Sequence, residues 1–274
     1  MDSLFEIEAL SCSYNNQDVV LEIPKLNLKR GKIYFFLGPS GIGKSTLLEV
    51  LGVMNYPVKG NPSKLNYYLP NGNCINLHGL WQDGDEQLSK FRMSEFSFVF
   101  QQTNLMPYFT AGENMAYTLL LEGKSWQEAK SRVLEVMNMF DLPDQLFDRS
   151  IQQMSGGQRQ RLAFVRAFVS KFNVIFCDEP TGNLDKKNSW LLMQALREFI
   201  KLQSKTAVIV THDMSLAIEF ADLIFCLDKC ESGDHNKDFG LLKSDNFYEK
   251  TDGQWIKDGK KVNTTIKQQL ESIL

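Results

Sequence analysis

The chain has 274 residues, of which 43% are hydrophobic and 23% are charged, so its composition is that of a soluble globular protein with ample length for a packed core. Its formal net charge of -3 lacks the basic excess of a dedicated nucleic-acid-binding protein. We find no secretory signal pattern and no uncharged apolar run approaching the ~20 residues that cross a bilayer, which predicts a cytoplasmic protein. The five cysteines include no C-x-x-C pair, which favours reduced thiols over a metal site.

The first predicted elements are two strands that lead into a glycine-rich loop. The run "LFEIEAL" alternates apolar and acidic residues and predicts a half-buried strand, whereas "KIYFFLG" predicts a fully buried one. The following loop matches G-x-x-x-x-G-K-[ST] at Gly38, Gly43, Lys44 and Ser45. In this pattern backbone amides and a helix start surround phosphates, the lysine reaches the terminal phosphates and the hydroxyl ligates Mg²⁺. For an isolated match, a glycine-rich turn before a helix is the alternative.

Two segments in the middle of the chain have distinct patterns. Residues 61–82 contain two prolines, an Asn-Gly pair and many asparagines, which predicts short antiparallel strands joined by turns. The run "SWQEAKSRVLEVMNMF" predicts a helix that begins at a capping box of Ser125 and Glu128. The predicted core-facing stripe of this helix consists of Ala129, Val133, Val136 and Phe140.

The run "MSGGQRQR" is the most specific in the chain. Ser155 and two glycines precede a predicted helix, and a hydroxyl with backbone amides at a helix N-terminus forms an anion site. One small nucleotide seldom needs two such sites on one chain, whereas two chains facing each other would use both. This run therefore predicts that two chains pair.

The runs "NVIFCDEP" and "TAVIVTHD" predict strands separated by the helix "NSWLLMQALREFIKL", and "ADLIFCLD" predicts one more strand, which together favour a parallel sheet covered on both faces. We expect Asp178, at a strand end, to hold a metal ion through water and Glu179 to orient or deprotonate an attacking water. A solvated strand end is the alternative for this pair. His212 follows a predicted strand, where a lone histidine is usually incidental, whereas His78 and His235 lie in turn-like segments and are expected to be solvated.

The region after Lys229 departs from the strand and helix alternation. The run "ESGDHNKDFG" predicts a surface loop, and the Asp-Gly pairs at 252 and 258 bracket "GQWIKDG" and predict a hairpin. The run "TTIKQQLESIL" predicts an amphipathic helix with Ile266, Leu270 and Ile273 on one face.

As a set, these motifs resemble the nucleotide-binding domain of the ATP-binding cassette (ABC) family over about residues 4–228. In order and spacing, "GPSGIGKST" resembles the Walker A loop, Gln101 in "VFQQ" the Q-loop glutamine, and "MSGGQ" the signature, with Met154 in place of the usual leucine. The runs "VIFCDE", "GNLD" and "VTHD" resemble the Walker B strand, the D-loop ending at Asp185, and the switch histidine His212. Tyr14 lies where an aromatic that stacks on adenine is expected, and a plain edge-strand aromatic is the alternative.

The resemblance implies an α/β fold with a P-loop NTPase core, a mainly parallel sheet, an N-terminal antiparallel β-subdomain and a helical signature subdomain at about 103–168. The nucleotide-binding domain is predicted at 1–228, and a C-terminal extension of loop, hairpin and amphipathic helix at 229–274. This extension could be a dimer contact, a regulatory flap or a stabilising cover packed on the domain edge. The implied cofactors are ATP and Mg²⁺, and the implied catalytic residues are Lys44, Glu179 and His212. The implied metal ligands are Ser45, Gln101 and Asp178. The implied nucleotide contacts are Tyr14, Gly38, Pro39, Ser40, Gly41, Ile42, Gly43, Lys44, Ser45, Thr46, Gln101, Ser155, Gly157, Gln158 and Asp185.

The run "FSFVFQQTNLMPYFTAGENM" is similar to that of the lipoprotein-release, macrolide-efflux and cell-division ATPases, which are subunits attached to separate membrane proteins. The expected partners are a second copy or a paralogous ABC subunit, and a separate integral membrane permease-like subunit at the cytoplasmic face of the membrane. The docking face for the membrane partner is expected at Met106, Pro107, Tyr108 and Phe109, and packing of these side chains inside the helical subdomain is the alternative. The alternatives are a soluble ABC ATPase acting on nucleic acid, ribosomes or cofactor assembly, and a degenerate nucleotide sensor; intact Lys44, Asp178, Glu179 and His212 argue against the sensor.

Overall fold

The computed structural model describes residues 2–14, 18–230, 238–262 and 266–271, which form two β-sheets and nine α-helices. The strands are β1 (Ser3–Cys12), β2 (Leu21–Lys29), β3 (Ile33–Leu37), β4 (Lys64–Tyr68), β5 (Cys74–Asn76), β6 (Phe96–Val99), β7 (Val174–Asp178), β8 (Thr206–Thr211), β9 (Leu223–Cys226), β10 (Asp228–Cys230), β11 (Phe239–Leu241), β12 (Phe247–Thr251), β13 (Gln254–Lys257) and β14 (Lys260–Lys261). The helices are α1 (Lys44–Leu51), α2 (Leu77–Leu80), α3 (Asp85–Glu95), α4 (Ala111–Leu121), α5 (Trp126–Met139), α6 (Gly156–Val169), α7 (Lys186–Leu202), α8 (Met214–Phe220) and α9 (Ile266–Glu271).

The larger sheet has the strand order β14-β13-β12-β9-β3-β8-β7-β6. Its five strands from β9 to β6 are mutually parallel, as the alternation of apolar runs and helices predicts. Every residue of β3 and β8 is buried, which explains why these strands are continuously apolar. Because alternate side chains point to opposite faces, Phe35 packs into one core with the helices and Phe36 into another beneath the second sheet.

The second sheet has the strand order β10-β11-β2-β1-β4-β5 and covers one face of the larger sheet. The pairs among β1, β2, β4 and β5 are antiparallel, which confirms the predicted N-terminal β-subdomain. Within residues 61–82 the strands β4 and β5 were predicted, but α2 was not: Asn76 caps this short helix by accepting a hydrogen bond from the Gly79 amide at 2.7 Å.

The helices α4, α5 and α6 pack against one another beside the parallel sheet. Helix α5 begins at the predicted capping box of Ser125 and Glu128, and the predicted stripe is buried. Asn114 is fully buried on α4, where its side chain bonds to the Met106 amide at 2.7 Å and to the Met106 and Thr110 carbonyls at 3.1 and 2.9 Å. These hydrogen bonds from the buried Asn114 side chain fix the conformation of the loop that precedes α4.

The C-terminal part of the chain adds strands to both sheets. The Asp-Gly pairs at 252 and 258 each close a two-residue turn with positive φ at both residues, so β12, β13 and β14 form two successive hairpins rather than the single one predicted. Strand β12 pairs with β9, and β11 pairs with β2, because sheet edges offer unpaired backbone groups. Helix α9 buries Ile266 and Leu270 as predicted, whereas Ile273 and most of the predicted surface loop lie outside the described residues.

The prediction that His78 is solvated is wrong. This ring is half-buried, with its Nδ1 in contact with the Tyr56 hydroxyl, because an aromatic cluster of Tyr56 and Trp81 forms beside it. His235 lies outside the described residues. All five cysteines are free thiols, and burial raises the pKa of Cys226 to about 12. Among the described residues, no helix has both the length and the apolar character that a membrane span requires.

Candidate functional site

The glycine-rich loop lies between the end of β3 and the start of α1. Gly41 and Gly43 have φ values of +79° and +92°, which side-chain-bearing residues rarely adopt. A Cβ at Gly43 would lie only 2.9 Å from the Val20 carbonyl oxygen. Helix α1 starts at Gly43 without a side-chain cap, and the amides of its first turn have no acceptor within the helix. The loop therefore presents an open helix N-terminus, which is an anion-binding arrangement.

Lys44 lies inside this loop and is only 6% exposed. Its ammonium donates hydrogen bonds to the Gly38 and Pro39 carbonyl oxygens at 2.7 and 2.9 Å. Burial lowers the pKa of Lys44, and the negative charges of Glu179 and Asp178 oppose this shift. The loop thus holds a buried cation beside two carboxylates.

Asp178 ends β7 next to the glycine-rich loop. Burial raises the pKa of its carboxyl group, and a hydrogen bond from the Ser45 side chain partly offsets that shift. This hydrogen bond connects β7 to the first turn of α1 and gathers oxygen ligands of the kind that Mg²⁺ prefers. Among the described residues, no group of three or more His, Cys, Asp or Glu side chains could hold a metal ion by itself.

Glu179 follows Asp178 in a left-handed conformation with φ of +43°. Its amide donates to the Val210 carbonyl at 3.0 Å, and its Oε2 accepts a hydrogen bond from Thr211 Oγ1 at 2.9 Å. His212 Nδ1 lies 3.0 Å from Glu179 Oε1. The Glu179 side chain is 15% exposed and that of His212 is 68% exposed. Residues of β8 thus hold a carboxylate in a strained backbone position, as is frequent at functional sites.

The signature run forms a second helix start. The Ser155 hydroxyl accepts a hydrogen bond from the Gln158 amide at 3.2 Å, and the Ser155 amide donates to Gln158 Oε1 at 3.0 Å. Within the described residues no hydrogen bond joins either side chain to the glycine-rich loop. Gly157 lies beside Leu184, whose Cδ2 would be 3.4 Å from an added Cβ. This second predicted anion site is therefore exposed and closed by its own capping box.

Three further predicted residues lie around the loop. The Tyr14 hydroxyl donates to Glu49 Oε2 at 2.5 Å and lies 3.1 Å from Thr46 Oγ1, with the residue 51% exposed. Gln101 is exposed, and its carbonyl oxygen accepts a hydrogen bond from the Asn183 side chain at 3.2 Å. Asp185 caps α7, and hydrogen bonds from Asn188 lower its pKa. Burial, reinforced by Glu49, raises the pKa of Tyr14 to about 12.

The sequence predicts no site role for Gln160, Thr211 or Glu49. Gln160 is 1% exposed on α6 and donates to the Pro180 carbonyl oxygen at 2.6 Å, which connects the signature helix to the segment after Glu179. Gln160 and Thr211 belong to the quoted runs "MSGGQRQR" and "VTHD", so the motifs did include both residues. Their hydrogen-bond partners lie on other elements, which the motifs alone do not reveal.

The model of the ABC transporter family matches residues 21–182, and the chain belongs to this family. It is 37% identical over 195 residues to the uncharacterized ABC transporter ATP-binding protein MJ0796 of Methanocaldococcus jannaschii, covering 70% of this chain and 78% of that protein. It is 36% identical over 204 residues to the lipoprotein-releasing system ATP-binding protein LolD of Bdellovibrio bacteriovorus, covering 73% of this chain and 86% of that protein.

Solved structures agree with this assignment. A dimeric post-hydrolysis structure of the MJ0796 cassette bound to ADP and Pi has a TM-score of 0.69 at 31% identity, covering 88% of this chain and all of that one. A structure of cbiO1 from Clostridium perfringens, part of the transporter complex cbiONQ, has a TM-score of 0.69 at 25% identity, covering 82% of this chain and 85% of that one. The chain is an ATP-binding subunit and ATPase of the ABC type, and the predicted family, fold and activity are confirmed.

Proposed function

We propose that the chain hydrolyses ATP with Glu179 as general base, in a head-to-tail dimer that powers a separate integral membrane partner. The observation that carries the proposal is the position of Glu179, whose carboxylate is held by Thr211 and His212 beside Lys44 and Asp178. A fixed carboxylate next to an open phosphate site is the arrangement that water activation requires.

The glycine-rich loop is the proposed phosphate site. Its uncapped helix start supplies backbone donors, and Lys44 supplies a buried cation that would exchange the Gly38 and Pro39 carbonyls for phosphate oxygens. Tyr14 offers an exposed aromatic ring for adenine, with its hydroxyl anchored to α1. These features favour a nucleoside triphosphate over a smaller anion.

The residues present also fit Mg²⁺. Ser45 and Asp178 are paired oxygen ligands at the loop, and Gln101 is an exposed side chain at the end of β6 that would complete the protein's share. Mg²⁺ is usually held by few protein ligands together with phosphate oxygens and water, which agrees with the small donor set. When bound, the ion neutralises phosphate charge.

We expect Glu179 to accept the proton of the attacking water. The Thr211 hydroxyl fixes Oε2, which leaves Oε1 as the proton acceptor near His212. His212 is exposed and would bind the terminal phosphate, so that one side chain contacts both the base and the reacting group. Lys44 would stabilise the negative charge on that phosphate.

The proposed dimer places the exposed signature helix start against the nucleotide of a second chain. Among the described residues, no hydrogen bond joins the glycine-rich loop to Ser155, Gly157, Gln158 or Asp185 of the same chain. These four residues therefore remain available to the nucleotide of a partner chain. A dimeric ADP- and Pi-bound structure of MJ0796 supports this arrangement. The partner chain would be a second copy or a paralogous ABC subunit.

An exposed apolar surface around α4 is the proposed docking site for the membrane partner. Tyr108 is 93% exposed and Leu121 is 60% exposed, and the Phe109 ring lies 6.4 Å from that of Tyr117. Such a surface on a monomer usually marks an interaction site. The relatives named as lipoprotein-releasing system subunits support a membrane complex, and we expect the chain at its cytoplasmic face.

The central test is the variant Glu179→Gln. A general base contributes about 10²- to 10⁴-fold in rate, so phosphate release should fall by that factor while ATP binding survives. Because ATP would join two chains and hydrolysis would release them, Glu179→Gln should accumulate as an ATP-bound dimer in size-exclusion chromatography with Mg²⁺ and ATP. Lys44→Ala should lose ATP binding and remain monomeric. Hydrolysis at the parental rate by Glu179→Gln, or a monomer with ATP bound, would contradict the mechanism.

The membrane partner is tested by Tyr108→Glu. Since this side chain is almost fully exposed, the charge should leave the fold intact but should release the chain from membranes that contain its partner. Leu202→Glu is the matched control, because Leu202 is 82% exposed at the end of α7 and is not one of the residues of the proposed docking surface. Co-sedimentation with membranes, with circular dichroism of both variants, gives the answer. Equal retention of Tyr108→Glu and Leu202→Glu would reject this docking surface.

A further inference from the structure

Strand β11, from the C-terminal part of the chain, lies directly against the glycine-rich loop. It pairs in parallel with β2, with Gly240 opposite Leu21 and Leu241 opposite Glu22. The Gly240 amide donates to the Val20 carbonyl oxygen at 3.0 Å. This pairing brings a segment about 200 residues away in sequence to the phosphate site.

Gly240 makes the closest approach. A Cβ at this position would lie 2.0 Å from the Ile42 carbonyl oxygen and 3.2 Å from the Ile42 carbonyl carbon. Gly240 is absent from the positive-φ residues of the described chain, so its backbone conformation does not require glycine. Glycine is required here by the lack of space, because any side chain would displace either β11 or the loop.

The Val20 carbonyl oxygen is shared between the two sides of this contact. It accepts the hydrogen bond from Gly240, and it also lies 2.9 Å from the position of a Cβ on Gly43. The backbones at Val20, at Gly43 of the loop and at Gly240 of β11 are therefore in direct contact, without intervening side chains. The loop and β11 are therefore coupled through the backbone at Val20.

The remaining contacts of this region fix the loop to the same strand pair. Ile42 is 4% exposed and belongs to the same hydrophobic core as Leu227 and Leu242, which flank β10 and β11. Asp228 pairs with Lys243 at 2.8 Å and accepts a hydrogen bond from the Asn246 side chain at 2.9 Å. Exposed ion pairs contribute little individually, and these contacts join the start of β10 to the segment that follows β11.

We propose that Gly240 is a positioning residue for the phosphate loop, through which the C-terminal part of the chain sets the affinity for ATP. This inference rests on the proposed role of the loop in binding ATP phosphates. Because Gly240 and the loop share backbone contacts, moving one moves the amides that would bind phosphate, and hydrogen bonds weaken steeply with misalignment. Binding is reciprocal, so ATP in the loop should in turn stabilise β11.

The first experiment measures ATP affinity of Gly240→Ala in the Glu179→Gln background. We expect the dissociation constant to rise by about tenfold or more, and in the parental background KM to rise more than kcat falls, because the loop is displaced while Glu179 is not. Gly79→Ala is the conformational control, since its added Cβ would meet only Asn76 Oδ1 at 3.6 Å. Leu270→Ala, a cavity in the buried face of α9, is the control for general destabilisation.

The outcomes separate this inference from the proposed function. If Gly240→Ala binds ATP as tightly as its parent, or if Leu270→Ala loses as much affinity, the positioning role is wrong although the ATP site stands. If the parent protein itself fails to bind ATP, both are wrong. Reduced affinity in Gly240→Ala alone supports the role.

The second experiment needs no substitution at the contact. Hydrogen exchange of residues 238–246 is compared with and without ATP and Mg²⁺ in Glu179→Gln, with the hairpins at 247–262 as the internal reference. We expect ATP to slow exchange in 238–246 and to leave 247–262 unchanged, and Lys44→Ala to abolish the effect. Equal exchange with and without ATP in 238–246 would overturn the inference even if Gly240→Ala fails to fold.

Discussion

Helices α1 and α6 both begin at runs that predict anion sites, yet their N-termini differ. Helix α1 begins at Gly43 in a left-handed conformation with no side-chain cap. Helix α6 begins at Ser155, and Ser155 and Gln158 satisfy each other's backbone in a capping box. The first site is open within its own chain, whereas the second is closed until another ligand replaces the box.

The capping box of α6 has a structural counterpart at α5, where Ser125 and Glu128 make the same pair of bonds. The capping box of α5 lies outside every motif of the site, so it is an example of a box that only stabilises the helix start. The two boxes differ in charge, since Gln158 is neutral and Glu128 is an anion that would repel phosphate. A helix start with a neutral box is therefore compatible with an incoming phosphate, as the proposed role of α6 requires.

The largest effect should come from closing the open helix start with Gly43→Ala. Its φ of +92° disfavours alanine, and the new Cβ would lie 2.9 Å from the Val20 oxygen, so the loop must shift and we expect the ATP dissociation constant to rise by about 100-fold. Calorimetry in the Glu179→Gln background measures it. Gly72→Ala, at φ of +87° with open space, is the control for conformational strain alone. Similar ATP affinity in Gly43→Ala and its parent would contradict an open site at α1.

An intermediate effect should come from Ser155→Ala, compared with Ser125→Ala. Both substitutions remove an N-cap hydroxyl and should cost about 1 kcal/mol of unfolding free energy. Ser155→Ala should in addition lower the ATPase rate by about tenfold, because it removes one donor to the partner's nucleotide. Chemical denaturation and phosphate release distinguish the two effects. Equal ATPase rates in the two variants would mean that the box of α6 is as purely structural as that of α5.

The smallest effect should come from Tyr14→Phe, which removes the hydroxyl that anchors Tyr14 to α1. One hydrogen bond of this kind is worth about threefold in affinity, while the ring that would stack on adenine remains. Tyr14→Ala should weaken ATP binding further. Tyr68→Phe is the matched control, since the Tyr68 hydroxyl also binds a carboxylate, Glu6 Oε2 at 2.8 Å. Fluorescent nucleotide titration suffices, and an ATP affinity in Tyr14→Ala equal to that of Tyr68→Phe would indicate a plain edge-strand tyrosine.

Features that depend on neighbours within a few residues could be predicted from the local sequence. The capping box at Ser125, the buried stripe of α5, the apolar runs of β3 and β8, and the Asp-Gly turns at 252 and 258 all follow from periods of about two to four residues along one chain segment. The order and spacing of the nucleotide-binding motifs likewise needed no structure, because each motif is a local backbone conformation with its own side chains.

Contacts between segments that are distant in the chain could not be predicted in this way, because they depend on the packing of the two sheets. The hydrogen bond from Thr211 to Glu179 joins residues 32 apart, and the contact between Gly240 and the Ile42 carbonyl joins two ends of the chain. No local period encodes such contacts, because a strand edge offers the same backbone groups to every partner until the packing of the two sheets selects one. Because of the same packing, His78 is half-buried beside Tyr56, and the C-terminal strands belong to both sheets, with β11 against the glycine-rich loop.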